Sequence, residues 1–97
     1  MQLTDKQKLK MDEYGIPEYM QGGIIRYYEN GLSPGHFLTA VINNDLKEAC
    51  ARADETNKYC LHKYVMWFYN QAPMGSWGHE DATRNWIKRF HEESDHA

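Results

Sequence analysis

The chain has 97 residues, with 11 Lys or Arg against 14 Asp or Glu for a net charge of −3. That length suits one domain with one modest core, and the charge balance excludes a basic nucleic-acid mop, an acidic tail and a low-complexity chain. Six Leu, five Ile, two Val and three Phe make up only about a sixth of the residues, but seven Tyr, three Trp and five Met replace the missing aliphatic mass, so a small folded domain with an aromatic-heavy core is expected.

Residues 1–15 mix three Lys with three acids, and Thr4-x-x-Gln7 has the spacing of a capping box. Their apolar positions Leu3, Leu9, Met11 and Tyr14 are poorly periodic, which predicts a short or frayed helix. In residues 16–31, Pro17 suits a first helical turn and Gly31 the position just past the end. Met20, Ile24, Tyr27 and Tyr28 form a core-facing stripe between them. Gly22-Gly23 in the middle costs about 1 kcal/mol per residue relative to Ala, and signals either a close helix crossing or a kink.

Ser33-Pro34 reads as cap and first residue of a third helix carrying Phe37, Leu38, Val41 and Ile42. Asn43-Asn44 closes it. Asp45 with Glu48 three residues later opens the next. Residues 45–71 contain no Gly or Pro. Leu46, Ala49, Cys50, Ala53, Asn57, Cys60, Leu61, Tyr64, Trp67 and Phe68 keep a helical stripe throughout. Unbroken, this helix is about 40 Å long. A break near Asp54-Glu55-Thr56 is the alternative, because Asp and Thr can recap a helix. Residues 72–78, with one Pro and two Gly, form a loop. Ala82, Trp86, Ile87 and Phe90 then mark a final amphipathic helix over 80–93, with 94–97 as a polar tail. The expected fold is therefore all-α: a compact bundle of four to five helices with one long central helix, in a single domain over 1–97.

The longest wholly apolar or aromatic run, residues 64–69, falls far short of the roughly 20 a membrane span needs. Residues 1–10 lack the apolar stretch of a secretory signal. Two cysteines are too few for a disulfide framework. On one helix, Cys50 and Cys60 stand about 15 Å apart and cannot bridge. Free, mostly buried thiols in the cytoplasm follow.

Several stretches carry a resemblance. They are Ile16-Pro17-x-x-Met20, the run from Tyr27-x-Glu29 through Gly31-Leu32-x-Pro34-Gly35 to Phe37-Leu38-Thr39-Ala40-Val41, and Asn44-Asp45-Leu46-Lys47-Glu48-Ala49. Arg52-Ala53-Asp54, Tyr69-Asn70-x-Ala72-Pro73 and Ser76-Trp77-Gly78 with Trp86-Ile87 complete the set. Over residues 16–88 the chain resembles a family of small proteins of tailed bacteriophages and prophages. The resemblance implies expression in the cytoplasm of an infected bacterium, and an accessory role exercised by binding.

Chemistry-bearing residues are sparse. Cys50, Cys60, His62 and His79 lack metal-ligand spacing, and Cys60 and His62 point about 200° apart on a helix, so no metal or other cofactor is expected. Cys50 lies four residues before Asp54 without a nearby His, and there is no nucleophile elbow, so no enzyme activity is expected. The polar cluster Asn43, Asn44, Asp45, Arg52, Asp54 and Asn57 reads as caps and surface pairs such as Glu48 with Arg52. Asn57, set in the apolar stripe, is also a candidate for a polar group facing the interior or a ligand. The start of the third helix beside His36 is either an ordinary cap or an anion receptor. Trp77, between Ser76 and Gly78 in the loop, is either a plug sealing the core or a stacking platform. Arg26 among Tyr27, Tyr28, His36 and Phe37 is either a rim charge or the counter-charge of an anion.

Together these make Arg26, Tyr28, His36, Asn57 and Trp77 the candidate ligand-binding residues. The leading expectation is a non-catalytic phage accessory protein that binds a host or phage protein and forms a homo-oligomer, since the aromatic and Met content exceeds what so short a chain buries alone. The alternatives are sequestration of a small anionic nucleotide-type signal in counter-defence, and a DNA-associated regulator. Segment charges of 0, −1, 0 and −2 over 1–15, 16–44, 45–72 and 73–97 argue against nucleic acid.

Overall fold

The computed structural model describes the backbone of residues 1–96 and the side chains of 1–93. It is all-helical, with six α-helices and a 3-10 turn among the described residues: α1 (Asp5–Tyr14), α2 (Glu18–Asn30), α3 (His36–Ile42), α4 (Leu46–Arg52), the 3-10 turn Asn57–Tyr59, α5 (Leu61–Gln71) and α6 (Ala82–His96). The radius of gyration is 12.8 Å, close to the roughly 13 Å of a compact domain this long.

Local signals place the helix ends. The Thr4–Gln7 capping box is formed in both directions: Gln7 N donates to Thr4 Oγ1 at 3.1 Å, and Thr4 N to Gln7 Oε1 at 2.8 Å. Met11 is fully buried and Trp67 Nε1 donates to the Gln7 carbonyl, so α1 lies fixed along α5. Gly31 ends α2 in the left-handed region at φ 64°. A β-carbon there would come within 2.7 Å of the Phe90 ring, so glycine serves both conformation and contact with α6. The Gly22-Gly23 pair leaves α2 continuous, without a break. Gly23 admits Leu38 and the Pro34 carbonyl, while Gly22 is covered by the guanidinium of Arg26 from its own helix.

Several expected boundaries move. Pro17 is the N-cap of α2, not a first-turn residue. Gly35, at φ 92°, is the N-cap of α3, so Ser33-Pro34 is neither its cap nor its start. Asp45 caps α4 as expected, accepting from Glu48 N at 3.2 Å.

The long central helix is not formed, and the helices number six rather than four to five. Ala53 turns to extended torsions (φ −69°, ψ 133°), and the Asp54 carboxylate accepts Thr56 N at 3.0 Å and Asn57 N at 2.7 Å. A short acidic side chain offers the backbone a cap that competes with continued helix, and here it wins. The last helix runs to His96 where a tail was expected at 94–97; Ala97 lies outside the described residues.

The core is aromatic, as the composition implies. Trp67, Tyr27, Tyr28, Tyr64 and Phe68 are fully buried. Tyr28 meets Trp86 edge-on with ring centroids 5.3 Å apart, and Trp67 meets Phe68 at 5.3 Å. Each polar tip is bonded, as burial requires. Trp86 Nε1 donates to the Tyr27 carbonyl at 2.8 Å, and the Tyr28 hydroxyl pairs with Ser76 Oγ at 3.0 Å. The Tyr27 hydroxyl donates to the Ser76 carbonyl at 3.2 Å. Burial pushes the hydroxyls of Tyr27, Tyr28 and Tyr64 well above the ordinary tyrosine range. These rings are covered within one chain, while Tyr19, Tyr59, Tyr69 and Met74 stay exposed.

Candidate functional site

The five sequence candidates do not converge. Tyr28 is fully buried, with no face left to stack on a ligand. Asn57 is buried and accepts the Tyr64 hydroxyl through its side-chain oxygen, which satisfies it within the fold. Arg26 is exposed on α2 and folded over Gly22. His36 begins α3, a helix of only seven residues. It lines a polar notch of about 190 Å³ with Thr39, Asn43, Asp45, Glu48 and Arg52, shared with neither Arg26, Tyr28 nor Trp77. In that notch Arg52 already pairs with Glu48 at 3.3 Å, and the Asp45 carboxylate is committed to its cap. The notch therefore offers an anion no unpaired Arg52 charge.

Trp77 acts chiefly as a plug. It is half-buried and stacks on Phe68 with centroids 5.8 Å apart and planes 24° from parallel. Cys60 is buried, but Cys50 is exposed, correcting the expectation that both thiols are mostly inside. Among the described residues, no group of three or more His, Cys, Asp or Glu is placed to hold a metal ion, and no helix is long and apolar enough to cross a membrane.

The more informative feature is an apolar groove, of whose lining the candidate set held only Trp77. It runs from the start of α4, between α3 and α5, to the loop after α5. Two hollows make it up and share Val41, Asn44 and Val65. The smaller, about 60 Å³, is closed by Ala49, Leu61 and Leu46. The larger, about 510 Å³, is bounded by Tyr69, Met74 and Trp77.

Helical periodicity explains the groove. Tyr64, Trp67 and Phe68 turn the inner face of α5 to the core, while Leu61, Val65 and Tyr69, four residues apart, form a row on its flank. Leu61 is partly buried, but among the described residues nothing covers the rest of the row: Val65 is 40% exposed and Tyr69 72%, beside Leu46 at 69% and Met74 wholly exposed. The signal was present in the sequence as an i, i+4, i+8 series beside the core stripe. The expected stripe took in Leu61 but neither Val65 nor Tyr69.

The loop is built to hold Met74 outward. Ser76 is buried, donates through Oγ to the Pro73 carbonyl at 2.7 Å and is bonded by both Tyr27 and Tyr28. Gly78 N donates to the Ile42 carbonyl at 2.6 Å. With these anchors on either side of the tip, Met74 and Gly75 are displayed on a fixed base. The Asn43 side chain meanwhile accepts Thr83 N at 2.9 Å, joining the end of α3 to the first turn of α6. An apolar trough with an aromatic and a thioether at its rim can take up apolar side chains of another molecule. No family model matches the chain, and neither a curated protein nor a solved structure is significantly similar to it.

Proposed function

We propose that the protein acts without catalysis, by binding another protein through the groove between α3, α4, α5 and the loop after α5. The setting we assign is infection of a bacterium by a phage or induction of a prophage. The resemblance over residues 16–88 supports that setting. The observation that carries the binding reading is the contiguity of Leu46, Val65, Tyr69 and Met74 on one uncovered face. Contiguous apolar surface marks interaction sites, and Tyr and Met are enriched in them. No comparable observation favours a nucleotide ligand, because the residues that would have gripped one are buried, paired or apart.

The test compares three versions of the protein as bait in lysate from bacteria carrying a related phage. These are the parent, the groove variant Tyr69→Ser/Met74→Ser, and the control Leu9→Ser, which alters an exposed apolar residue on α1. A stoichiometric companion retained by the parent and the control, and lost from the groove variant, is the expected result. Retention by all three, or a companion lost equally from the control, overturns the reading.

A further inference from the structure

The stretch over residues 46–71 satisfies two conformations at once. It holds no Gly or Pro, and its apolar stripe continues without a phase change across the break. Ala49, Asn57, Cys60, Tyr64 and Trp67 are all buried in the broken form, yet their spacing would also place them on one face of a straight helix. Much of the break is already helical: Thr56 has right-handed torsions (φ −84°, ψ −49°), and Asn57–Tyr59 is a 3-10 turn. Ala53 departs from helix chiefly in ψ.

One carboxylate does most of the holding. Asp54 accepts two backbone N–H groups of the turn, and its second oxygen accepts the Tyr19 hydroxyl at 2.7 Å, tying the break to the first turn of α2. Straightening the break would swing α5 and α6 away from α1, α2 and α3. The lost contacts have equivalents in a second copy: Trp67 Nε1 to the Gln7 carbonyl, Trp86 Nε1 to the Tyr27 carbonyl, and Thr83 N to Asn43. Reciprocal exchange re-forms every one of them and changes only the hinge, which is why swapping is a low-cost route to a closed dimer.

We propose that two copies of this chain can exchange α5 and α6 by straightening residues 53–60 into one helix over 46–71, and that the Asp54 carboxylate holds the single-chain form. The occupant of each exchanged site is thus a second copy of the same chain, and the groove, one wall of which is α5, is rebuilt from both copies.

The experiment uses full-length Asp54→Ala in a Cys50→Ser background, with Gln7→Cys and Gln71→Cys added. The Gln7 side chain reaches the Gln71 carbonyl at 2.8 Å, so these positions adjoin across the exchanged contact. After incubation at high concentration, light scattering gives mass, circular dichroism gives helicity, and a short bismaleimide records which chains are joined. The expected result is a species of twice the 11.4 kDa chain, with more helix and bridges running between chains on a denaturing gel. Asp54→Asn, which keeps an acceptor, is expected to stay monomeric. Adding Glu55→Gly to Asp54→Ala should weaken dimerisation about thirtyfold, since glycine's helix penalty then applies at two hinges. If Asp54→Ala does not fold, Tyr19→Phe takes its place; it removes the hydroxyl that ties the carboxylate to α2 and must give interchain bridges. A monomer at every concentration, or a dimer bridged only within chains, overturns the proposal.

Discussion

The end of the molecule built from α2, α5, α6 and the loop after α5 is held differently from the turn over residues 53–60. At the first, large rings exclude water, and the polar tips of Tyr27, Tyr28, Trp67 and Trp86 each have a backbone or hydroxyl partner. At the second, mostly exposed residues, with Asn57 and Cys60 turned inward, are organised by a single carboxylate. Apolar burial is distributed over many contacts and resists the loss of any one, except where a whole ring is removed. A hydrogen-bonded cap has its effect concentrated in one group. Two regions of one chain can therefore be equally ordered and yet differ in how a single substitution or a change of pH reaches them.

The sharpest way to break this contrast is Trp67→Ala. Removing a fully buried indole should cost about 3–5 kcal/mol, read as a shift of the urea midpoint. A loss below about 1 kcal/mol would mean the aromatic end is not the main source of stability. Tyr28→Phe is milder. It removes one buried hydrogen bond but leaves the Ser76 hydroxyl its Pro73 partner, so about 0.5–1.5 kcal/mol is expected by the same measurement.

Acid should separate the two regions. The backbone N–H of Asn57, the Tyr19 hydroxyl and the backbone N–H of Thr56 hold the Asp54 carboxyl below the usual carboxylate range. A depressed folded value means that its contribution is present above the unfolded value and is lost as pH falls through the folded one. The protection of the Thr56 and Asn57 amides against exchange, relative to their intrinsic rates at the same pH, should thus fall below the usual carboxylate range, while that of Trp67 and Phe68 persists. Simultaneous loss of protection would show the two regions to be one cooperative unit. At the small end, Arg52→Ala removes a solvent-exposed pair with Glu48 and should change the midpoint by less than about 0.5 kcal/mol.

Among the features that depend on near neighbours, the sequence disclosed several, though Ser33-Pro34 does not start α3. The Thr4–Gln7 box, the Asp45 cap and the terminating Gly31 involve partners within a few residues, and all are formed. The break at Asp54 was visible only as an alternative, since propensity cannot say whether a cap or a continued helix wins. Asn43 capping the start of α6 was hidden because its partner, Thr83, lies 40 positions away. The candidate site suffered from the same blindness. Tyr28 and Asn57 lie on stripe positions that a sequence assigns equally to core or ligand, and only the fold shows Tyr64 and Ser76 already waiting for them. Leu61, Val65 and Tyr69 were legible as a row, but their exposure depends on where the loop after α5 goes.

The placement of the three indoles has an optical consequence. Trp67 and Trp86 have their ring nitrogens bonded to backbone carbonyls and lie away from the groove, whereas Trp77, half-buried like Trp86, is stacked on Phe68 and borders the groove. Replacing Trp67 or Trp86 would disturb the core, but Trp77 can report from its native position. Emission from Trp77 should shift to shorter wavelength when an apolar body fills the trough and displaces water from its open edge, while the other two indoles contribute a steady background. The protein thus carries its own fluorophore beside the one surface whose occupancy most needs to be followed.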